Sequence, residues 1–206
     1  MSATLPVRIP ALLALAIATA LVGTVVQPAP VQAAATTRPA ETKAQRLDRL
    51  YAEYWEEVLQ LNPVQATFQG DPRYNDQLPD FFSAEFRERA RKFTERWLKR
   101  IESEGTDGLS GQDLLSYQIF LEDARESIES DKYPGWMLPV DQMNNIVTLA
   151  AMMGSGSGAQ PFKTVEDYDN WLARGRRMPV LVDSAIGNMR AGMRAGVVQP
   201  RALMVK

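Results

Sequence analysis

The sequence predicts an all-α protein, several amphipathic helices in an irregular bundle, on three observations. Apolar residues recur three and four apart in segment after segment of the 206-residue chain. Helix-start signals stand before those segments, at Asn62-Pro63, Ser83, Ser110 and Thr164. Long strand-like alternation is missing.

The first 33 residues form a leader. Arg8 is the only charged side chain before Ala33, and "ALLALAIATALVGTVV", Ala11 to Val26, is an unbroken apolar or small-residue run. Pro28, Pro30 and Val31-Gln32-Ala33 follow. Small residues at the last and third-last positions before a cut suit signal peptidase, so cleavage is expected after Ala33. The run is short for a full membrane span of about 20 residues, which disfavours an uncleaved anchor. The expectation is an exported protein, periplasmic or secreted, with no stable membrane span after cleavage. Residues 34–42, "AATTRPAET", read as a flexible mature N-terminus.

The helical portion is expected over 43–206. The first helix runs from about Lys43 to Leu61, with Leu47, Leu50, Tyr54, Val58 and Leu61 on one face. Asn62 caps a short helix from Pro63 to Phe68, which stops at Gly70. "GDPRYNDQLPD" is a turn-rich loop. Ser83 starts a third helix to about Glu102, striped by Phe82, Phe86, Ala90, Phe93, Trp97 and Ile101. Ser110, with Asp113 three residues on, resembles a capping box opening a fourth helix to about Ser130. Its stripe is Leu114, Tyr117, Leu121, Ala124 and Ile128. Ile146 to Met153 is an apolar segment, helical or extended. Thr164, with Asp167, starts the last long helix. Its apolar and small residues fall at Val165, Tyr168, Leu172, Gly175, Pro179, Val182, Ile186, Met189 and Met193, in steps of 3 and 4. Pro179 is expected to kink this helix against the carbonyl of Gly175. Gln199-Pro200 opens a further helix.

Composition narrows the chemistry. The chain has no Cys and no His. Disulfides, thiolate chemistry, His-based triads and the usual zinc sites are therefore excluded from it. Formal charge is −2 and becomes −3 when the leader takes Arg8 with it. No basic stripe argues for nucleic acid.

The remaining candidates are modest. "GSGSG", Gly154 to Gly158, lacks the preceding strand and following helix start that a phosphate loop needs, and reads as a flexible loop. Glu56 and Glu57 read as a solvated face; Glu166, Asp167 and Asp169 suit the first turn of a helix. Arg174, Arg176 and Arg177, then Arg190, Arg194 and Arg201, read as exposed helix charges or as an anion clamp. Arg190, Arg194, Arg201 and Trp136 are the candidate substrate or anion contacts. Trp136, in "KYPGWMLP", either lines a pocket or pins a loop. Tyr51, Tyr54, Trp55, Phe93, Trp97 and Trp171 are expected in the core.

Four stretches carry a resemblance. They are "LDRLYAEYWEEVLQLNPVQATFQGDPRYND", "LLSYQIFLED", "MLPVDQMNNI" and "FKTVEDYDNWLARGRRMPVLVDSAIGNMRAGMRAGVVQPR". In this order they resemble the N-terminal part of the bacterial domain-of-unknown-function 885 family (DUF885), helical proteins that look like zinc metallopeptidases. The resemblance covers about Leu47 to Lys206. It implies a longer parent, with a His-Glu-x-x-His zinc site in a later part. No such motif stands here, so no catalytic or metal-binding residue carries over. The resemblance implies that this chain is the N-terminal piece of a larger helical fold. Its main partner would be the missing C-terminal portion, with zinc and a peptide substrate only in the full-length form. Two further readings stand beside it. One is a non-catalytic periplasmic helical module whose core the Val165–Met193 stripe closes; the other is a carboxylate-only enzyme of glycosidase type.

Overall fold

The computed structural model describes residues 40–141 and 145–204. The expected leader, residues 1–33, lies outside the described residues. Among them run seven α-helices: α1 (Lys43–Leu61), α2 (Pro63–Phe68), α3 (Ala84–Glu102), α4 (Gly111–Ser130), α5 (Ile146–Gly154), α6 (Val165–Ala195) and α7 (Arg201–Met204). Short 3-10 turns lie at Pro72–Tyr74 and Gly135–Met137. The described residues contain no strand, so the fold is all-α. No helix among them is long and apolar enough to cross a membrane.

The boundaries follow local chemistry. Thr42 accepts from the backbone N–H of Gln45 at 3.2 Å, and the Gln45 side chain accepts from Thr42 N–H at 3.0 Å, a reciprocal cap on α1. Thr164 and Asp167 do the same for α6. Asn62 closes α1 and opens α2, its side chain accepting from Gln65 N–H. Ser83 caps α3 through Phe86 N–H. Ser110 precedes α4 as expected but makes no side-chain cap bond, so the anticipated box with Asp113 is not formed. The Ile146–Met153 segment resolves to helix, capped by Asn145. α6 continues through Pro179 and ends at Gly196, whose φ of 74° is the left-handed conformation that Gly adopts most cheaply.

Two cores form. In the first, α1, α3 and α4 bury Leu47, Leu50, Trp97, Ile101, Tyr117 and Leu121. Tyr54 packs against it, half-buried, stacked on Phe93 at 5.4 Å and meeting Trp97 and Phe120 edge-on at 5.6 and 4.9 Å. Edge-on and offset contacts suit the charge distribution of aromatic rings. Trp55, expected in the core, is 44% exposed, because its position on α1 faces away from α3 and α4. In the second core, Leu181 of α6 meets Leu78 and Ile146, with Phe81, Phe82, Leu149 and Met178 around them. Near the end of α6 the backbone of Met137 lies over Gly192. A Cβ there would come within 2.5 Å of Val197 O, so only glycine fits.

The apolar stripe of α6 does not close this core. Val165 is 80% exposed and Met193 70%, and Tyr168, Leu172, Val182 and Met189 are exposed too. The buried face is a different one, carrying Arg174, Leu181, Ala185 and Gly192. Ser184 and Asn188 lie beside it and reach the corner before α3: Ser184 donates to Asp80 at 2.5 Å and Asn188 to Phe82 O at 2.8 Å. Polar side chains that bond a loop's carboxylate and carbonyl lie beside the buried face, which a purely apolar count would reject. The reading in which the stripe closes a self-sufficient core is thereby corrected.

Ion pairs tie α1 to α3 and to the acidic loop. Arg100 donates to Glu53 at 2.5 Å, Arg96 pairs with Glu57, and Arg73 grips Glu56 with two bonds of 2.7 and 2.8 Å. Trp97 Nε1 also donates to Glu57, at 3.3 Å. Glu56 and Glu57 are therefore bonded groups rather than a bare solvated face. The Arg100 guanidinium holds the Glu53 carboxyl below its ordinary value; Arg73 does so for Glu56 and Arg96 for Glu57. Such carboxyls stabilise the fold when ionised in both states, above their unfolded pKa, and lose that contribution as pH falls through the lower folded pKa. The thermal midpoint is predicted to stay level from pH 7 to about 5 and to fall on acidification below about 4.5, as followed by circular dichroism. A midpoint that held or rose below that pH would contradict these pairings.

Candidate functional site

The most developed polar site was not legible as one. Arg174, which the sequence places in an exposed basic cluster, is fully buried. Its guanidinium reaches five acceptors. Nε donates to Gln77 O at 3.0 Å, and Nη1 to Gln160 Oε1. Nη2 reaches Pro63 O at 3.2 Å, Thr67 Oγ1 at 2.7 Å and Tyr74 O at 2.9 Å. The Thr67 hydroxyl has one proton and gives it to Asn75 Oδ1 at 2.8 Å, which leaves its lone pairs for Arg174. Asn75, Thr67 and Gln160 are themselves buried. Among the described residues no carboxylate touches the guanidinium; carbonyl and hydroxyl oxygens replace its water. Burial pushes its pKa down to about 10, so it stays charged at neutral pH. Arg176 and Arg177, by contrast, lie exposed as expected.

Above this node lies a groove of about 950 Å³ between α1, α2 and α3, reached by Arg177 of α6. That volume is within the range of small-molecule sites. Leu61, Leu78 and Phe93 give it an apolar floor. Its rim carries four acids, Glu57, Asp76, Glu85 and Glu88, and four bases, Arg89, Lys92, Arg96 and Arg177. Balanced signs give no preference for an anion or a cation and suit a ligand with both, held over apolar contacts.

The sequence-derived contacts fall elsewhere. Arg190 and Arg194 are exposed on α6, and Arg201 is exposed at the start of α7. None lines this groove. Trp136 is half-buried in the 3-10 turn that packs on α6, and the Arg87 guanidinium stacks over its ring at 4.4 Å. Arg87 also donates to Phe82 O at 2.6 Å, so Trp136 is held by α3 rather than brought to the three arginines. It lines a second, smaller hollow with Arg91 and Tyr133. Among the described residues no three Asp or Glu gather to hold a metal. With no His or Cys in the sequence, these residues do not fit a zinc site, and no catalytic step runs through one here.

An all-helical chain whose long sixth helix clasps the second helix and the acidic loop through a buried arginine is the class that fold and node define. The family described as "Bacterial protein of unknown function (DUF885)" matches residues 63–206, more than half of the chain. The chain belongs to that family. No curated protein and no solved structure matches it.

Replacing Arg174 with Met would leave three backbone carbonyls and the Thr67 and Gln160 oxygens buried without this donor. At roughly 1–3 kcal/mol for each buried group left unsatisfied, the loss is predicted to exceed about 3 kcal/mol in urea unfolding. Arg174→Lys should recover little, because an ammonium cannot span the planar fork. Wild-type stability in either variant would refute the node's role.

Proposed function

We propose that this chain is the helical, non-metal portion of an exported zinc-dependent hydrolase acting on peptides. The observation that carries the reading is the groove, whose apolar floor and mixed-charge rim suit an extended peptide with its alternating side chains and paired termini. Family membership and the resemblance to zinc metallopeptidases support it. Zinc and its ligands would come with a further portion of the same protein, laid over the groove; this chain alone would bind and orient but not cleave. Arg190, Arg194, Arg201 and Trp136 would then serve as outer contacts for a longer substrate.

Short zwitterionic peptides added to the isotope-labelled chain are predicted to shift backbone resonances around Leu61, Leu78 and Phe93, with no peptide hydrolysis whether or not zinc is present. Unmoved resonances at those residues would remove the groove from the account. Zinc-stimulated cleavage by this chain alone would overturn the assignment of chemistry to another portion.

A further inference from the structure

The exposed stripe of α6 has a regularity that a surface helix does not need. Its steps of three and four persist from Val165 to Met193. That is the a/d seam of a coiled coil held for four heptads, about 42 Å of helix. At 100° per residue the seam lies about 120° around the helix from the face that carries Arg174 and Leu181, so it points sideways from the body of the protein. One flank of the seam, the g positions, includes Met178, Ala185 and Gly192, which turn toward the protein's own core. The other flank, the e positions, is Asp169, Arg176, Asp183 and Arg190.

These four charges alternate in sign and are all exposed. None of them joins an ion pair among the described residues, although α1 and α3 are laced with such pairs. An alternating row of this kind is complementary to itself when reversed. In an antiparallel pair of α6 helices, e positions meet e positions. Asp169 of one copy then faces Arg190 of the other, and Arg176 faces Asp183, each pair occurring twice by symmetry. A parallel pair would set the e positions against g positions, which carry no charge here.

The same reversed register orders the seam. Tyr168 of one copy meets Met193 of the other, Leu172 meets Met189, Gly175 meets Ile186, and Pro179 meets Val182. Each layer is apolar, and the smallest residue stands opposite a large branched one. The symmetry axis falls between Val180 and Leu181, so the two Pro179 rings sit close to it.

We propose that two copies of this chain associate antiparallel along α6, with Asp169–Arg190 and Arg176–Asp183 pairs setting direction and register. The association needs neither zinc nor substrate, so it stands apart from the hydrolase reading. Sedimentation equilibrium of the full chain should show a reversible dimer at micromolar concentration. Asp183→Arg or Arg176→Asp alone turns two attractive pairs repulsive and should weaken the dimer about tenfold, while the Arg176→Asp, Asp183→Arg double variant should restore it. Both positions are exposed, and helicity by circular dichroism should be unchanged in all three variants. Because the chain has no Cys, a Tyr168→Cys, Met193→Cys variant should form interchain disulfides on oxidation, and Met193→Cys alone should not.

A chain that stays monomeric to about 100 μM would overturn the proposal and assign the seam to a further portion of the polypeptide or to another protein. A dimer indifferent to the single charge changes, or not restored by the double one, would overturn it equally. Cross-linking through Met193→Cys alone would show a parallel pair and refute the register.

Discussion

The bonding of Arg174 is the constraint on which the rest of the arrangement depends. The helices α1, α3 and α4 close one core, and α6 with α5 closes another. Joining them are α2 and the loop that follows it, which gives Leu78, Phe81 and Phe82 to the second core but whose turns from Gly70 to Gln77 are rich in Asp and Asn. The buried backbone carbonyls of those turns need donors that apolar packing cannot supply. Arg174 holds the segment by donating to Pro63 and Thr67 of α2, to Tyr74 and Gln77 of the loop, and to Gln160 before α6. A buried charge without a contacting carboxylate is tolerable only because every acceptor is fixed. The guanidinium therefore needs the loop ordered as much as the loop needs the guanidinium.

That coupling also explains why the groove has a defined floor. Leu78 is buried just after Gln77, whose carbonyl Arg174 holds. Phe93 is placed independently, by its stack on Tyr54 in the first core. The groove is thus a seam between two cores, one side set by aromatic packing and the other by one arginine. Two of the four carboxylates at its edge are committed to neighbours: Glu57 to Arg96 and Trp97, Glu88 to Arg91 and Lys92. They shape and charge the rim.

Much of the architecture was legible in the sequence because it is local. The Thr42, Asn62, Ser83 and Thr164 caps each rest on a side chain reaching a backbone N–H three residues away, and that spacing is written in the chain. The stripes of α1, α3 and α4 were legible because those helices bury apolar faces against one another. On α6 the signal misled. Its most apolar face is its exposed one, and its buried face mixes Leu181 and Ala185 with Arg174, Ser184 and Asn188, whose partners lie about a hundred residues away. No periodicity counts such bonds. Nor could Arg174 be told from Arg176 and Arg177 in "ARGRR", since only its phase relative to Leu181 and Ala185, seven and eleven residues on, marks it as inward.

The central claim is that α2, the acidic loop and α6 form one cooperative unit closed by Arg174. Native-state hydrogen exchange of the full chain tests it most directly. The account predicts that the amides of Ala66 and Asp71, hydrogen-bonded within and just after α2, exchange with the same free energy and the same denaturant dependence as the amides around Leu181. Free exchange of Ala66 and Asp71 while the middle of α6 stays protected would show that the two units are only neighbours, and that the arginine does not join them.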